Sequence, residues 1–132
     1  GVHVWAPLRR TAGWETVKGF ASTLAHGLAE EDPDRFVAKM AKASRKGRIF
    51  IDWLRNERGS TAIAPYSLRA RPGGPVAVPV TWDELGELSG PDVFGMADME
   101  ERLGRPCPYL DLADDLQSIT KDTLERLESW LG

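Results

Sequence analysis

Asp52 has the setting that a solvated surface explains least well. The run Ile49-Phe50-Ile51-Asp52-Trp53-Leu54 is rich in β-branched and aromatic residues and predicts a strand. Side chains alternate on a strand, so Ile49, Ile51 and Trp53 share one face while Phe50, Asp52 and Leu54 share the other. An ionised carboxylate between Phe50 and Leu54 is costly on a buried face unless it meets a cation or a metal. Two readings stay open from the local pattern: a metal ligand, or a carboxylate on a solvated face paired with Arg55 or Arg69. His3, set among Val2, Val4 and Trp5, reads as a structural histidine or as a ligand-binding one. Arg45, Lys46 and Arg48 lead into the Asp52 strand, and Arg69 and Arg71 follow Tyr66-Ser67. Guanidinium groups match phosphate oxygens in pairs, so a strand carboxylate flanked by arginines suits metal–nucleotide chemistry; ordinary solvation is the alternative. The phosphate-cradling G-x-x-x-x-G-K-[ST] loop and paired Cys/His zinc spacings are absent, and no base neighbours Tyr66-Ser67 to make a nucleophile.

Several elements must position these groups. Val2 to Leu8 alternates weakly and ends near Pro7, as the tail of a strand does. Trp14, Val17, Ala21, Leu24 and Leu28 recur at helical spacing. Asp32-Pro33 reads as the start of a second helix through Phe36, Val37 and Met40, and Lys42 to Arg48 as a basic turn ended by Gly47. Thr61–Ala64 and Val76–Val80 are extended pieces around the Arg71–Pro75 loop, and Thr81 is a natural N-cap for Trp82–Leu88. Helical turns are expected around Ala97–Leu103. A last helix is expected from Leu112, Leu116, Ile119, Leu127 and Trp130-Leu131, with Asp114 and Asp115 near its start. Trp14, Phe20 and Trp130 are assigned to the core. The mixture is α+β, with helices packed on a small, largely antiparallel sheet.

Composition narrows the field. The chain has 132 residues, 42% hydrophobic and 28% charged, which fits one ordinary globular domain. No apolar run approaches the roughly 18 residues of a membrane span. The single Cys107 excludes a disulfide scaffold and a multi-cysteine metal site, and fits a reducing compartment. Net charge is −3, yet residues 1–75 carry 13 Lys/Arg against 7 Asp/Glu, while residues 76–132 carry 4 against 13. A basic half of this kind suits a polyanionic partner, or is simply a solvated face. The opening Gly1-Val2-His3, without an initiator Met, reads as a piece of a longer protein.

Four segments in order carry a resemblance: Gly1–Leu8 (GVHVWAPL), Arg48–Asn56 (RIFIDWLRN), Thr61–Gly73 (TAIAPYSLRARPG) and Val80–Leu85 (VTWDEL). Together they resemble the polymerase domain of bacterial ATP-dependent DNA ligase D, within the archaeo-eukaryotic primase superfamily. The resemblance runs from Gly1 to about Leu103. It implies a primase-type polymerase subdomain, with residues 1–132 as the C-terminal portion of an end-joining polymerase domain whose N-terminal portion is absent. The implied reaction is metal-assisted nucleotidyl transfer from an NTP to a DNA 3′ end in non-homologous end joining, using manganese or magnesium.

By the same resemblance, Asp52 matches a metal carboxylate, His3 and Arg69 match contacts to the triphosphate, and Arg45 matches a basic residue near the metal site and phosphates. The implied partners are DNA ends and NTP, with Ku and a fused ligase domain beyond them, in the bacterial cytoplasm at the nucleoid and with no membrane. The family's strand-borne D-x-D metal motif is absent, the chain beginning after the point where it would lie, and the Ser and Lys before the histidine motif are missing. The family's N-terminal lysines and aromatic residue on the DNA 5′-phosphate are also missing. Arg105-Pro106-Cys107-Pro108-Tyr109 departs from the family's Gly-Asp-Pro-Trp-like stretch. With a single matching carboxylate, the isolated chain is expected to be inactive; the alternative is a non-catalytic nucleic-acid-binding or structural relic of such a polymerase.

Overall fold

The computed structural model describes all residues, Gly1–Gly132. In chain order the elements are α1 (Trp14–Glu31), β1 (Phe36–Val37), β2 (Ile49–Phe50), α2 (Trp82–Glu87), α3 (Met99–Leu103), α4 (Pro108–Asp111) and α5 (Lys121–Leu131). They fall into two compact bodies. One comprises Leu8–Thr61 with Ser118–Gly132, the other Gly1–Pro7 with Ala62–Gln117.

In the first body, α1 forms where the apolar spacing predicts it, and its buried residues are Ala25 and Gly27. Gly27 is the contact point with α5. A Cβ there would overlap the Leu131 side chain and stand 2.8 Å from Trp130 Cζ3, so only glycine lets the helices approach this closely. In α5 the Thr120 hydroxyl accepts the Thr123 amide at 3.1 Å, and Leu127 is buried. Asp114 and Asp115 lie outside this helix, in and just after a separate 3-10 turn (Leu112–Asp114); the acid in the first turn of α5 is Asp122.

The second helix expected after Asp32-Pro33 does not form. Phe36 N–H bonds to Asp32 O at 3.0 Å, closing a single turn, and the next backbone groups pair with β2 instead. Ile49 N–H donates to Arg35 O at 2.8 Å and Ile51 N–H to Val37 O at 2.9 Å. The pairing is parallel, with Phe36 opposite Ile49 and Val37 opposite Phe50. The sheet is therefore two-stranded and parallel, not largely antiparallel. The reason is the connection: residues 38–48, with a 3-10 turn at Lys42–Arg45, form a crossover long enough to return the chain in the same direction. The strand expected through Leu54 stops at Phe50 because the chain turns at Asp52, whose Oδ1 accepts the Leu54 amide at 3.2 Å.

In the second body, residues 1–7 form no regular element and join no strand. Gln117 N–H donates to Pro7 O at 2.8 Å, and Trp5 meets Tyr109 edge-on at 5.5 Å. Residues 66–69 and 75–77 run antiparallel through the single bridge Leu68–Val76, closed by a turn in which Gly74 N–H bonds Arg71 O. Thr81 caps α2 as expected. Its hydroxyl accepts the Glu84 amide while the Glu84 carboxylate accepts the Thr81 amide, a reciprocal capping box.

The architecture is α+β, and its cores are thin. Ala25, Val37, Ala38 and Leu127 are buried in the first body, Val76 and Met99 in the second, and no large side chain is fully buried. Phe20 is half-buried, but Trp14 and Trp130, assigned to the core from sequence, are 56% and 43% exposed. Helical spacing identifies the apolar face of a helix; it does not supply the surface that covers it.

Candidate functional site

Asp52 and Arg45 lie in the first body, His3 and Arg69 in the second. Asp52 stands just past β2, and its carboxylate is not in an apolar layer: the side chain is 42% exposed. Oδ1 accepts the Leu54 amide, and Oδ2 lies 3.5 Å from Arg55 Nε. The same Arg55 donates through Nη1 to Thr61 O at 3.1 Å, which ties the turn after β2 to the chain that leaves it. Trp53 is anchored by its indole N–H to Ala38 O at 3.3 Å and leans on His26, with ring centroids 5.7 Å apart. The arrangement fixes the backbone around Asp52 while leaving carboxylate lone pairs open to solvent.

Arg45 comes from the 3-10 turn in the β1–β2 crossover. Its guanidinium lies over the Phe50 ring, 3.8 Å from the centroid, and Nη2 donates to Met40 O. Arg45 Nε is buried and has no hydrogen-bond partner. Phe50 ends β2 two residues before Asp52, where the chain turns. Arg45 is thus a planar cation resting on a ring close in sequence to an open carboxylate.

In the second body His3 is exposed in the irregular first segment. Arg69 is half-buried, and its backbone N–H donates to Pro75 O at 2.8 Å beside the Leu68–Val76 bridge. No hydrogen bond or ion pair joins His3 to Arg69, and Arg69 forms no ion pair with any carboxylate.

No group of three His, Cys, Asp or Glu side chains converges as a self-sufficient metal cage. The donor set that is present is one open, hard carboxylate. It fits a magnesium-like cation that takes one or two protein carboxylates and completes its shell with phosphate oxygens and water. An Asp-x-Asp spacing does occur upstream, at Asp32-Pro33-Asp34, but it occupies the turn after α1, where Asp32 Oδ1 accepts the Arg35 amide at 3.2 Å.

Two constellations escaped the sequence. Arg102 on α3 is buried and forks onto the Glu84 carboxylate, with Nη2 also 2.7 Å from Pro79 O and the guanidinium near the Phe94 ring. The Arg102 hydrogen bond, with help from the Thr81 amide, holds the Glu84 carboxyl down to about 2. Beside it, Tyr66 and Cys107 line a cavity of about 540 Å³ with Pro65, Leu103, Pro106 and Tyr109. Burial pushes the Cys107 thiol up, but the Tyr66 hydroxyl and the Leu110 and Tyr109 amides outweigh it, so the net direction is down. The same hydrogen bond raises Tyr66. Tyr66 also holds a left-handed backbone, φ 61°, unusual for a side chain of its size. The only sequence signal for either group was the Thr81-x-x-Glu84 capping pattern; the partners come from distant segments.

The model of the LigD primase-polymerase domain matches residues 1–108. The multifunctional non-homologous end joining protein LigD of Pseudomonas aeruginosa is 41% identical over 123 residues, 91% of this chain and 15% of that protein. The corresponding protein of Mycolicibacterium smegmatis is 38% identical over 87 residues, 66% of this chain and 11% of that one. Among solved structures, the polymerase domain of Mycobacterium tuberculosis ligase D in complex with DNA superposes with a TM-score of 0.74 at 30% identity. That match covers 84% of this chain and 39% of the solved one. The chain therefore spans well under a quarter of the length of the two LigD proteins, and 39% of the solved polymerase domain.

Proposed function

The chain belongs to the LigD primase-polymerase domain family, and from that premise we propose that it forms part of a polymerase transferring nucleotides from NTPs to a DNA 3′ end during non-homologous end joining. Asp52 holds a divalent metal, manganese or magnesium. His3 and Arg69 bind the triphosphate, and Arg45 binds phosphate nearby. When bound, the metal supplies charge neutralisation of phosphate oxygens and activation of the attacking hydroxyl. The chain's own residues do the rest. Arg45, already flat against Phe50 and with Nε unpartnered, is a cation in place before negative charge develops on the phosphates. Histidine and arginine at the other phosphates orient the leaving group without needing a proton transfer of their own.

Two-metal chemistry needs several converging carboxylates, and Asp52 is a single one, so we propose that this 132-residue chain alone does not extend a primer. The parent protein acts at DNA ends in the bacterial cytoplasm, with Ku and a fused ligase domain as its partners. No helix is long and apolar enough to cross a membrane.

The observation that supports the reading most is Asp52 itself, an open carboxylate on a fixed turn, two residues beyond the ring that carries Arg45. The test is thermal stabilisation of the chain by manganese with ATP, compared with Asp52→Ala. A ligand at about a hundredfold its Kd contributes about 2.7 kcal/mol. A shift that is present in the native chain and lost in the variant supports the assignment; an equal shift in both removes Asp52 from it.

A further inference from the structure

From Arg35 to Ile51 the chain carries Arg35, Lys39, Lys42, Arg45, Lys46 and Arg48, and not one acid. This stretch is β1, the crossover and β2, all within one body. The fold concentrates the charge further. Because Phe36 pairs with Ile49, the residues just before them, Arg35 and Arg48, stand across from one another at the start of the ladder. Each is held to its own neighbourhood by non-ionic contacts, Arg35 over the Phe36 ring and Arg48 Nη1 to Pro33 O at 3.2 Å. Lys39, Lys42 and Lys46 project from the crossover between them and are exposed.

None of the six forms an ion pair. The pairs that do form in this body use Lys18, Arg55 and Lys121. A solvated surface of mixed sign disperses its charges among carboxylates. Here a fixed ladder gathers like charges without neutralising them, and the resulting positive potential attracts a polyanion.

The geometry points to the β1–β2 crossover as a binding surface for the DNA phosphate backbone, with Lys39, Lys42 and Lys46 as its phosphate contacts and Arg35 and Arg48 as a fixed positive edge. It rests on the reading that this chain works on DNA, and adds which surface holds the strand. Such contacts carry no sequence information; they release counterions, and their signature is a dependence on salt.

The experiment is fluorescence anisotropy of the full 132-residue chain with a labelled single-stranded oligonucleotide and with a labelled hairpin duplex, across about 50 to 200 mM salt. Lys39→Gln/Lys42→Gln/Lys46→Gln is compared with Arg9→Gln/Arg10→Gln/Arg58→Gln, which removes equal charge from exposed positions of the same body. Each phosphate contact contributes about 0.9 to the slope of log K against log salt on duplex and about 0.7 on single strands. The lysine variant is expected to flatten the duplex slope by about 2.7 and the single-strand slope by about 2.1, with the arginine variant close to native. Equal slopes for the two variants overturn the assignment of the surface while leaving DNA binding in place. Failure of the native chain to bind either probe at the lowest salt overturns it as well. The manganese–ATP shift and its loss in Asp52→Ala are read without DNA, so the nucleotide-site reading stands or falls separately.

Discussion

Arg102 and Glu84 form a forked ion pair, the guanidinium buried and the carboxylate only 30% exposed, with one arm of the fork also bonded to Pro79 O. Glu84 is at the same time half of the Thr81 capping box, so one carboxylate stops the α2 N-terminus from fraying and ties α2 to Arg102 on α3.

This pair gives stability a defined acid limb. The Glu84 carboxyl is lowered from about 4.5 to about 2, so its contribution is complete above its ordinary value and is lost as pH falls towards 2. Glu84→Gln is expected to destabilise by about 1–2 kcal/mol at neutral pH, a value discounted for partial exposure. The difference from the native chain should vanish near pH 2. Denaturant unfolding of both proteins across pH checks this, and a difference that persists at pH 2 would contradict the ion pair as its source.

The α1–α5 contact predicts an unusual penalty for a small change. Gly27→Ala sends a methyl group into Leu131 and Trp130, and overpacking of this kind costs about 1–3 kcal/mol. Ala is the better helix former, so propensity alone predicts a gain. Leu131→Ala in the Gly27→Ala background should recover part of the loss. Thermal unfolding of the three variants separates the two effects.

Cys107 should be the reactive thiol its neighbours make it. The Tyr66 hydroxyl and two backbone amides favour the thiolate, so alkylation by iodoacetamide near pH 7 is expected to be faster than for a free thiol of ordinary pKa. Tyr66→Phe keeps the ring and the backbone but removes the donor, and it should slow alkylation severalfold. An unchanged rate would mean that the amides alone set the thiol.

Arg45→Lys tests the planar cation. Lysine keeps the charge but loses the face that lies on Phe50 and the fork that suits phosphate. The ATP-dependent part of the manganese–ATP stabilisation should fall well below native while the stability of the unliganded chain changes by about 1 kcal/mol or less. Loss of fold without loss of the shift would assign Arg45 to packing.

Local signals were legible and pairings were not. The α1 face, Thr81 as a cap and Gly47 as a terminator all follow from residues within a turn of each other. The segment after Asp32 has equally good helical signals, yet Arg35 O and the backbone of Phe36–Val37 are taken by β2, a partner no local window contains. The same gap hid Arg102 from Glu84 and Cys107 from Tyr66. At the site, the strand argument identified Asp52 and left open a metal ligand on a buried face or a solvated carboxylate paired with Arg55; the turn closed by its own Oδ1 places it in solvent, beside Arg55. His3 and Arg69 carry no local pattern that distinguishes them, and their proposed roles come from the family resemblance.

The thin cores have an optical consequence. Trp5, Trp14, Trp82 and Trp130 are all exposed, and Trp53, pinned by its indole N–H to Ala38 O, is the one tryptophan that is not. Native emission is therefore dominated by hydrated indoles, red-shifted and open to acrylamide before any unfolding begins. The shielded component belongs to Trp53, the residue next to Asp52, so a single-tryptophan chain retaining only Trp53 places a fluorophore beside that carboxylate.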